Sequence, residues 1–404
     1  MKLSEELQYR GFANQSTFAN LADLDSKPIT LYLGTDPSGD SLHVGHLAVY
    51  MMVRRFLDHG KKVILLVGGG TGMIGDMRDT EERELLSLDT IAHNKKALSA
   101  QVSRLFSGQD FTLVDNYDWL HELNLLDFLR ETGKKFNMAE LVQRDFFKSR
   151  IQNGGGLSFA EFTYTLLQGY DFNHLHKNYG VNLQIGGSDQ WGNILSGVEL
   201  IRKNGGEAFG MTSPLVINKS TGRKFGKSEG GAVWLDPKKT SPFKFYQFWL
   251  NTDDESAIDY LKLFTLLKPD QIDEITKIHS ENPGQRLAQK TLSREITNLV
   301  HSEDISKNVE KVSEILFGKN ADFSNISEEE FNIFTEELPT VNFRENLTII
   351  DALTESKIVK SRGEANRLIA GNAVSINGEK VQTDQEISKK SLIKKGKNQF
   401  VFVK

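Results

Sequence analysis

The spacing of apolar positions along the chain changes several times, and each change marks an element. TLYLG (Thr30 to Gly34) reads as a short strand. After the polar turn TDPSGDS a helical pattern begins near His46, with Leu47, Met51, Phe56 and Leu57 on its apolar side. KVILLV (Lys62 to Val67) is an unbroken apolar run of the kind that forms a strand buried on both faces, and a glycine-rich turn follows it. Helical segments then alternate with strands at Phe111 to Val114 and Asn182 to Ile185, and another helix starts near Asp189. Such alternation predicts an α/β fold with a Rossmann-like parallel sheet. After about Ser220 the texture becomes helical and rich in Lys, Glu and Leu as far as Leu316. The segment around Pro339 reads as a linker holding one short helix. The tail returns with a helix (Ala365 to Ala370), a strand (Val374 to Ile376) and the turn Asn377-Gly378. The predicted division is an α/β domain over 1–220, a helical domain over 221–320, a linker over 321–340 and a small α+β domain over 341–404.

Composition narrows the chemistry. The 404 residues contain no cysteine, which excludes disulfides, thiolate metal sites and cysteine nucleophiles. The longest apolar run, Val63 to Val67, falls far short of the roughly 20 residues that span a bilayer, and the first residues carry acids without an apolar signal region. A cytoplasmic protein with no membrane partner is expected. The net charge is −5, yet residues 341–404 hold 12 Lys/Arg against 7 Asp/Glu, so the tail is net positive on a negative body. That asymmetry gives the tail a partner of its own, and phosphate-rich RNA suits the sign.

Four motifs carry candidate chemistry. GTGMIG (Gly70 to Gly75) matches the dinucleotide pattern by letter, but Asp76 follows at once, where a pyrophosphate would meet a carboxylate. Asp76 instead offers a carboxylate to a cation at the edge of a parallel sheet. His43 and His46 flank Gly45 at the start of a helix, where backbone N–H groups favour anions and the missing side chain admits a flat ring. Two neutral imidazole donors there would stabilise charge growing on a nucleotide phosphate. Alone, the pair equally fits ordinary helix-start histidines. Lys224 and Lys227 lie three apart in the glycine-flanked loop GRKFGKSEGG, and mobile ammonium groups suit a polyphosphate leaving group as well as they suit a solvated loop. In SFAEFTYTLLQGYDF, Tyr164, Gln168 and Asp171 stand at i, i+4 and i+7, so a phenol, an amide and a carboxylate share one helix face. No metal site is expected.

HVGH (His43 to His46) and KFGKS (Lys224 to Ser228) together resemble the HIGH and KMSKS signatures of class I aminoacyl-tRNA synthetases. Within that class the chain is similar to the bacterial tyrosyl-tRNA synthetases along essentially its whole length. The similarity runs through LYLGTDPSGDSLHVGHL, NYDW (Asn116 to Trp119), LQIGGSDQWGN (Leu183 to Asn193) and SPFKFYQFWLNTDD (Ser241 to Asp254). It continues into a tail similar to an RNA-binding domain shared with a ribosomal small-subunit protein. The resemblance implies ATP, with Mg²⁺ arriving on it, L-tyrosine and tRNA(Tyr) as ligands, and a homodimer with Phe128 to Ile151 as a contact. It implies that Tyr32 and Asp171 hydrogen-bond the substrate phenol, that Asp76, Tyr164 and Gln168 hold its ammonium, and that Gln190 lies near its carboxyl group. Asp189 falls near the ribose, Ser38 and His43 at the terminal phosphates, His46 and Gly45 at the nucleotide, and Lys224 and Lys227 at the departing pyrophosphate. In the tail, Lys360, Arg362 and Arg367 fall on or near one helix of the net-positive segment and are the candidate RNA contacts, and the 221–320 region includes the lysine loop. Two departures stand out. MRDTEER after Asp76 lacks a lysine, leaving Arg78 and Arg83 as its basic residues, and KFGKS differs from KMSKS at two positions. A non-enzymatic RNA-binding relative and a small-molecule nucleotidyltransferase are the competing classes. The first could have lost the histidines and lysines present here, and the second would not need the basic tail.

Overall fold

A computed structural model describes the chain apart from residues 77–84, 153–155, 220–221, 223–226, 229–230, 319–322 and 324–325. Contacts divide it into two units, Met1–Lys239 with Thr252–Leu292, and Thr240–Asn251 with Ser293–Lys404.

The first unit is built on five strands, β1 (Thr30–Thr35), β2 (Lys62–Val67), β3 (Thr112–Asp115), β4 (Leu183–Gly187) and β5 (Phe209–Ser213), in the order β3-β2-β1-β4-β5. All four pairings are parallel. The apolar run read as a doubly buried strand is β2, whose last five residues are all buried. The expected Rossmann-like sheet is therefore present, and the chain reverses direction across it between β1 and β4. Ligands of open α/β sheets bind in the crevice beyond the strand ends at such a point. β5 was not anticipated, because FGMTS holds one glycine, one serine and no alternation. Its burial comes from tertiary packing, not from local preference.

Two helices frame the crevice. Val44–Asp58 follows β1 and buries Val44, Leu47, Ala48, Met51, Met52 and Phe56 against the sheet. Truncating the fully buried Phe56 to alanine would cost about 3–5 kcal/mol. Phe159–Tyr179 starts at a capping box: Ser158 Oγ accepts from Glu161 N–H at 3.2 Å, and Glu161 Oε2 accepts from Ser158 N–H at 3.3 Å. Two short strands, β6 (Lys227–Ser228) and β7 (Gly231–Ala232), form an antiparallel hairpin ahead of the helices expected after residue 220.

The second unit combines helices with a five-stranded sheet of β8 (Thr340–Val341), β9 (Val374–Ile376), β10 (Glu379–Lys380), β11 (Ser391–Lys395) and β12 (Gln399–Val403), in the order β10-β9-β11-β12-β8. The Asn377-Gly378 turn joins β9 to β10 with φ of 47° and 92°, the paired positive values a two-residue hairpin needs. The helix Arg362–Ala370 begins three residues earlier than its apolar pattern, because Ser361 caps it. β11 and β12 were missed because SLIKK and QFVFV are short buried runs without alternation. One apolar cluster is internal to residues 341–403. A second joins Leu392, Phe400 and Phe402 to Phe243, Tyr246, Val309 and Phe334 from the helices Pro242–Leu250, Glu303–Phe317 and Glu328–Glu337. The charge boundary at 341 thus falls inside continuous packing, and the short helix expected in the linker is one of its walls.

Candidate active site

A cavity of about 410 Å³ opens beyond the ends of β1 and β4. Tyr32, Ser38, His43, Gly45, His46, Asp76, Tyr164, Gln168, Asp171, Asp189 and Gln190 all line it. Residues from five separate stretches of sequence therefore face one space. Of the remaining candidates, Lys227 contributes its backbone to β6, opposite Ala232, which also lines the cavity. Lys224, Arg78 and Arg83 lie outside the described residues.

The two histidines stand at the helix start by mutual capping. His43 is the N-cap, its Nδ1 accepting from Gly45 N–H at 3.0 Å, and His46 Nδ1 accepts from His43 N–H at 3.2 Å. With each Nδ1 used as an acceptor, each neutral imidazole carries its proton on Nε2. The rings stack at 3.8 Å between centroids. Two N–H donors and the positive end of a helix are thus gathered on one side of the cavity.

Asp171 sits at the opposite end, 3% exposed, with both carboxylate oxygens occupied. Trp119 Nε1–H donates to Oδ1 at 2.7 Å, and Asn116 Nδ2–H donates to Oδ2 at 2.9 Å. Burial pushes its carboxyl up from 3.8 to about 7, against the two hydrogen bonds that favour the ionised form. Beside it Tyr32 on β1 is 1% exposed, and its hydroxyl has no hydrogen-bond partner among the described residues. Burial and the nearby Asp171 charge hold that phenol well above its ordinary range. A buried hydroxyl without a partner, next to a carboxylate, is suited to hydrogen-bond another hydroxyl group.

One wall of the cavity is backed by a hydrogen-bonded chain that sequence reasoning missed. From Asp171 it passes through Asn116 Nδ2 to Thr71 Oγ1 at 2.8 Å, and from Thr71 Oγ1–H to Asp36 Oδ1 at 2.7 Å. Tyr164 O–H closes it on Asp36 Oδ2 at 2.9 Å. Asp76 accepts from Gln190 Nε2–H at 2.8 Å and faces Asn193 Nδ2 at 3.4 Å. Asp36, Asp76 and Asp171 are three carboxylates around one space, a field suited to a cationic group. Asp36 was findable, since it is the first residue past β1, where open sheets place ligand-binding groups.

The glycine-rich turn also changes meaning. Its N–H groups are turned inward, Gly69 to Asp115 Oδ1 at 3.0 Å and Gly70 to Asn116 Oδ1 at 2.8 Å. The turn leads into the short 3₁₀ segment Thr71–Met73 and not into a phosphate-binding helix. A Cβ on Gly69 would collide with the Asp115 carboxylate, so glycine is required there for close packing of the network. Among the described residues no group of three or more His, Asp or Glu side chains could hold a metal ion, and no helix is long and apolar enough to cross a membrane.

Comparison with known proteins identifies the family. Residues 24–318 match the class I tRNA synthetases of the tryptophan and tyrosine group, and residues 330–404 match the SYY-like C-terminal domain of tyrosine–tRNA ligases. Tyrosine–tRNA ligase 1 of Enterococcus faecalis is 44% identical, the similarity covering 100% of this chain and 99% of that protein. Tyrosine–tRNA ligase of Leuconostoc citreum is 45% identical, over 94% of this chain and 92% of that protein. Among solved structures, a C-terminally truncated mitochondrial tyrosyl-tRNA synthetase from Aspergillus nidulans superposes with a TM-score of 0.68 at 30% identity, covering 76% of this chain and 92% of that one. The fold is that of a class I aminoacyl-tRNA synthetase, a class that uses ATP as substrate. Within it, the chain belongs to the tyrosine–tRNA ligase family.

Proposed function

We propose that this cavity activates L-tyrosine with ATP and that the protein then transfers the tyrosyl group to the 3′ end of tRNA(Tyr). A tyrosine carboxylate oxygen attacks the α-phosphate, a P–O bond forms, and the bond to the β-phosphate breaks, releasing pyrophosphate and leaving tyrosyl-adenylate. The terminal ribose hydroxyl of the tRNA next attacks the tyrosyl carbonyl, and AMP departs. No side chain need act as a nucleophile. Catalysis is positioning plus stabilisation of the charge that develops on phosphate oxygens.

In this reading Tyr32 and Asp171 bind the substrate phenol, while Asp76, Tyr164 and Gln168 hold its ammonium, with Asp36 adding charge behind Tyr164. Gln190 serves the carboxylate end and Asp189 the ribose. Ser38 and His43 contact the terminal phosphates, and Gly45 leaves room for the nucleotide beside His46. Lys224 and Lys227 follow the pyrophosphate, and Mg²⁺ enters bound to the nucleotide as part of the substrate. The observation that carries the reading is the unpartnered Tyr32 hydroxyl buried against Asp171 in the cavity that also holds the histidine donors. Activation is assigned to residues 1–220, the lysine loop and tRNA-side helices to 221–320, and RNA contact to the basic tail after the 321–340 segment, through Lys360, Arg362 and Arg367. A cytoplasmic homodimer completes the proposal. It is supported by exposed apolar side chains at Leu125, Leu126, Met138, Ile151 and Phe159, in and beside the Phe128 to Ile151 stretch.

ATP–pyrophosphate exchange measured across the amino acids tests the reading. Exchange driven by tyrosine, with little or none from phenylalanine, is expected. Exchange driven by a different amino acid, or none at all, would overturn it.

A further inference from the structure

The turn between β1 and the histidine pair is gripped by a helix none of whose residues lines the cavity. The helix Leu88–Leu105 buries Ile91, Leu98, Val102 and Leu105, and Asn94 sits among them at 5% exposed, where the period calls for an apolar side chain. A buried amide in an apolar stripe is costly unless it is paired. Asn94 Nδ2–H donates to Pro37 O at 2.9 Å, 57 positions back along the chain. Gln101 stands two helical turns on, about 10 Å along the same face. Its Oε1 accepts from Leu42 N–H at 2.9 Å, and its Nε2–H donates to Ser41 Oγ at 3.1 Å. Two amides of one helix thus hold both ends of the turn at residues 37–42. Other contacts fix the turn as well. A Cβ on Gly72 would lie 2.9 Å from Pro37 Cδ, so the glycine-rich turn packs tightly on the proline ring. Within the turn Ser38 N–H donates to Asp36 O at 2.8 Å, and Asp236 N–H donates to Ser41 Oγ at 3.3 Å. Ser38 is exposed and lines the cavity, while Pro37, Ser41 and Leu42 are buried.

We propose that Asn94, with Gln101, is a positioning residue for adenylate formation: without touching substrate, it fixes the Pro37 peptide and so aims Ser38 at the terminal phosphates of ATP. The proposal rests on the role assigned to Ser38 above. The geometry of the peptide explains why an amide stands at position 94. Pro37 C=O and Ser38 N–H belong to one planar unit, so whatever turns the carbonyl turns the start of Ser38 with it. The proline ring already fixes its own φ, and the Asn94 bond restrains the ψ that is left. Leucine at 94 would complete the apolar stripe but take the donor from a buried carbonyl, which then turns in search of another. Displacing a phosphate ligand by about 1 Å costs on the order of 10²-fold in rate. Gln101 does the same for the other end of the turn, where the chain enters the His43 cap. Neither amide bonds to Tyr32, Tyr164, Gln168 or Asp171, so the effect of losing one falls on ATP and not on tyrosine.

Four variants of the full chain test this: Asn94→Leu, which keeps the volume without the donor, Gln101→Met, Ser38→Ala, and Ser38→Ala combined with Asn94→Leu. Exchange kinetics with ATP and tyrosine varied in turn are read beside tyrosine binding by equilibrium dialysis and thermal unfolding. Asn94→Leu is expected to lower kcat/KM for ATP about 10- to 100-fold with tyrosine binding unchanged. Gln101→Met, at a half-buried position where folding is less at stake, shows the same split at about 3- to 10-fold. Once Ser38 is alanine, the loss caused by Asn94→Leu shrinks by at least about threefold, because the group it aimed is gone. Wild-type ATP kinetics in either amide variant, tyrosine binding that weakens in step with kcat/KM for ATP, or losses that multiply in the double variant would each overturn the positioning role and leave the site reading intact. Wild-type exchange in Ser38→Ala would instead overturn the Ser38 assignment and, with it, this inference.

Discussion

The charged groups of the cavity and those of the C-terminal tail obey opposite rules. In the cavity, Asp36 and Asp171 are linked by neutral donors, Thr71, Tyr164, Asn116 and Trp119, in bonds of 2.7 to 2.9 Å that reach across the sequence. In the tail, the charges are exposed or half-buried and pair with neighbours: Arg344 with Glu355, Arg362 with Asp351, and Lys395 with Glu364 at 3.7 Å. A buried network responds sharply to the loss of one member, because each orphaned partner carries its own desolvation cost. Exposed pairs are individually worth little, and their field acts as a sum. Specificity for a small molecule belongs to the first kind of construction, and attraction of a polyanion to the second.

The comparison predicts a steep effect from a single deletion in the cavity. His46→Ala removes an Nε2–H donor and the acceptor of the His43 backbone N–H. It should raise the activation barrier by about 2–4 kcal/mol while tyrosine affinity stays near wild type. Pre-steady-state adenylate formation measures this, and a wild-type rate would place His46 outside the chemistry.

Next in size is the loss of selectivity at Asp171. Tyrosine–tRNA ligases are themselves the standard example of a site that rejects phenylalanine by about 10⁵ through unpaired buried groups, with no editing step. Asp171→Ala should cost tyrosine about 1.5–3 kcal/mol of that preference, the usual worth of a hydrogen bond to a charged group. Competition between tyrosine and phenylalanine in exchange assays reads it directly, and unchanged discrimination would remove Asp171 from the phenol subsite.

A pH measurement separates the carboxylate's charge from its shape. The folded Asp171 carboxyl keeps its proton up to about pH 7, against an ordinary value of 3.8. Folding therefore takes up a proton, and the contribution of this group to the stability of the unliganded protein falls as pH rises from about 4 to 7. Tyrosine affinity runs the other way. The ionised form is the stronger acceptor for the substrate hydroxyl, so binding tightens as pH rises through about 7. Asn116→Ala removes the first of the hydrogen bonds that favour ionisation, so its binding midpoint should move to higher pH. A midpoint that stays put would show that Asn116 does not tune the carboxylate.

Legibility in the sequence divided along the same line. Period and turn chemistry predicted the parallel sheet, the helix after β1 and the Asn377-Gly378 hairpin, because each is dictated within a few residues. Tyr164, Gln168 and Asp171 could be grouped from helical spacing, and residue chemistry suggested phosphate roles for His43, His46, Lys224 and Lys227 and a cation for Asp76, whereas the roles of Tyr32, Ser38, Asp189 and Gln190 came from resemblance. Asp36, Thr71, Asn116 and Trp119 were not assigned, although NYDW was recognisable as a motif, since their meaning lies in contacts between β1, the glycine turn and β3 that no local period encodes. Asn94 was silent for the same reason: its partner, the Pro37 carbonyl, is 57 positions away. In the tail the sign of the charge was legible, but which charges are already neutralised by a neighbour was not.

That last point yields the smallest and most discriminating prediction. Deleting residues 341–404 is a poor test of RNA contact, because it strips Leu392, Phe400 and Phe402 from the cluster they share with Phe243, Tyr246, Val309 and Phe334. Loss of even one such phenylalanine costs about 3–5 kcal/mol. Single surface substitutions avoid that confusion. Arg362 and Arg367 lie on one exposed helix, but Arg362 is paired with Asp351, whose carboxyl the guanidinium holds below its usual range, whereas Arg367 has no ion pair among the described residues. Neutralising Arg367 therefore removes a charge fully available to phosphate, and neutralising Arg362 also releases an opposing carboxylate that was partly spent on it. If Arg367 makes one phosphate contact, Arg367→Ala should reduce the slope of log K against log salt for tRNA binding by about 1. Arg362→Ala in turn should lower affinity without the same change of slope, the released Asp351 repelling the RNA. Equal slopes and equal affinities in the two variants would mean that the Asp351 pair opens when RNA binds, and that the tail works as a bare sum of charge.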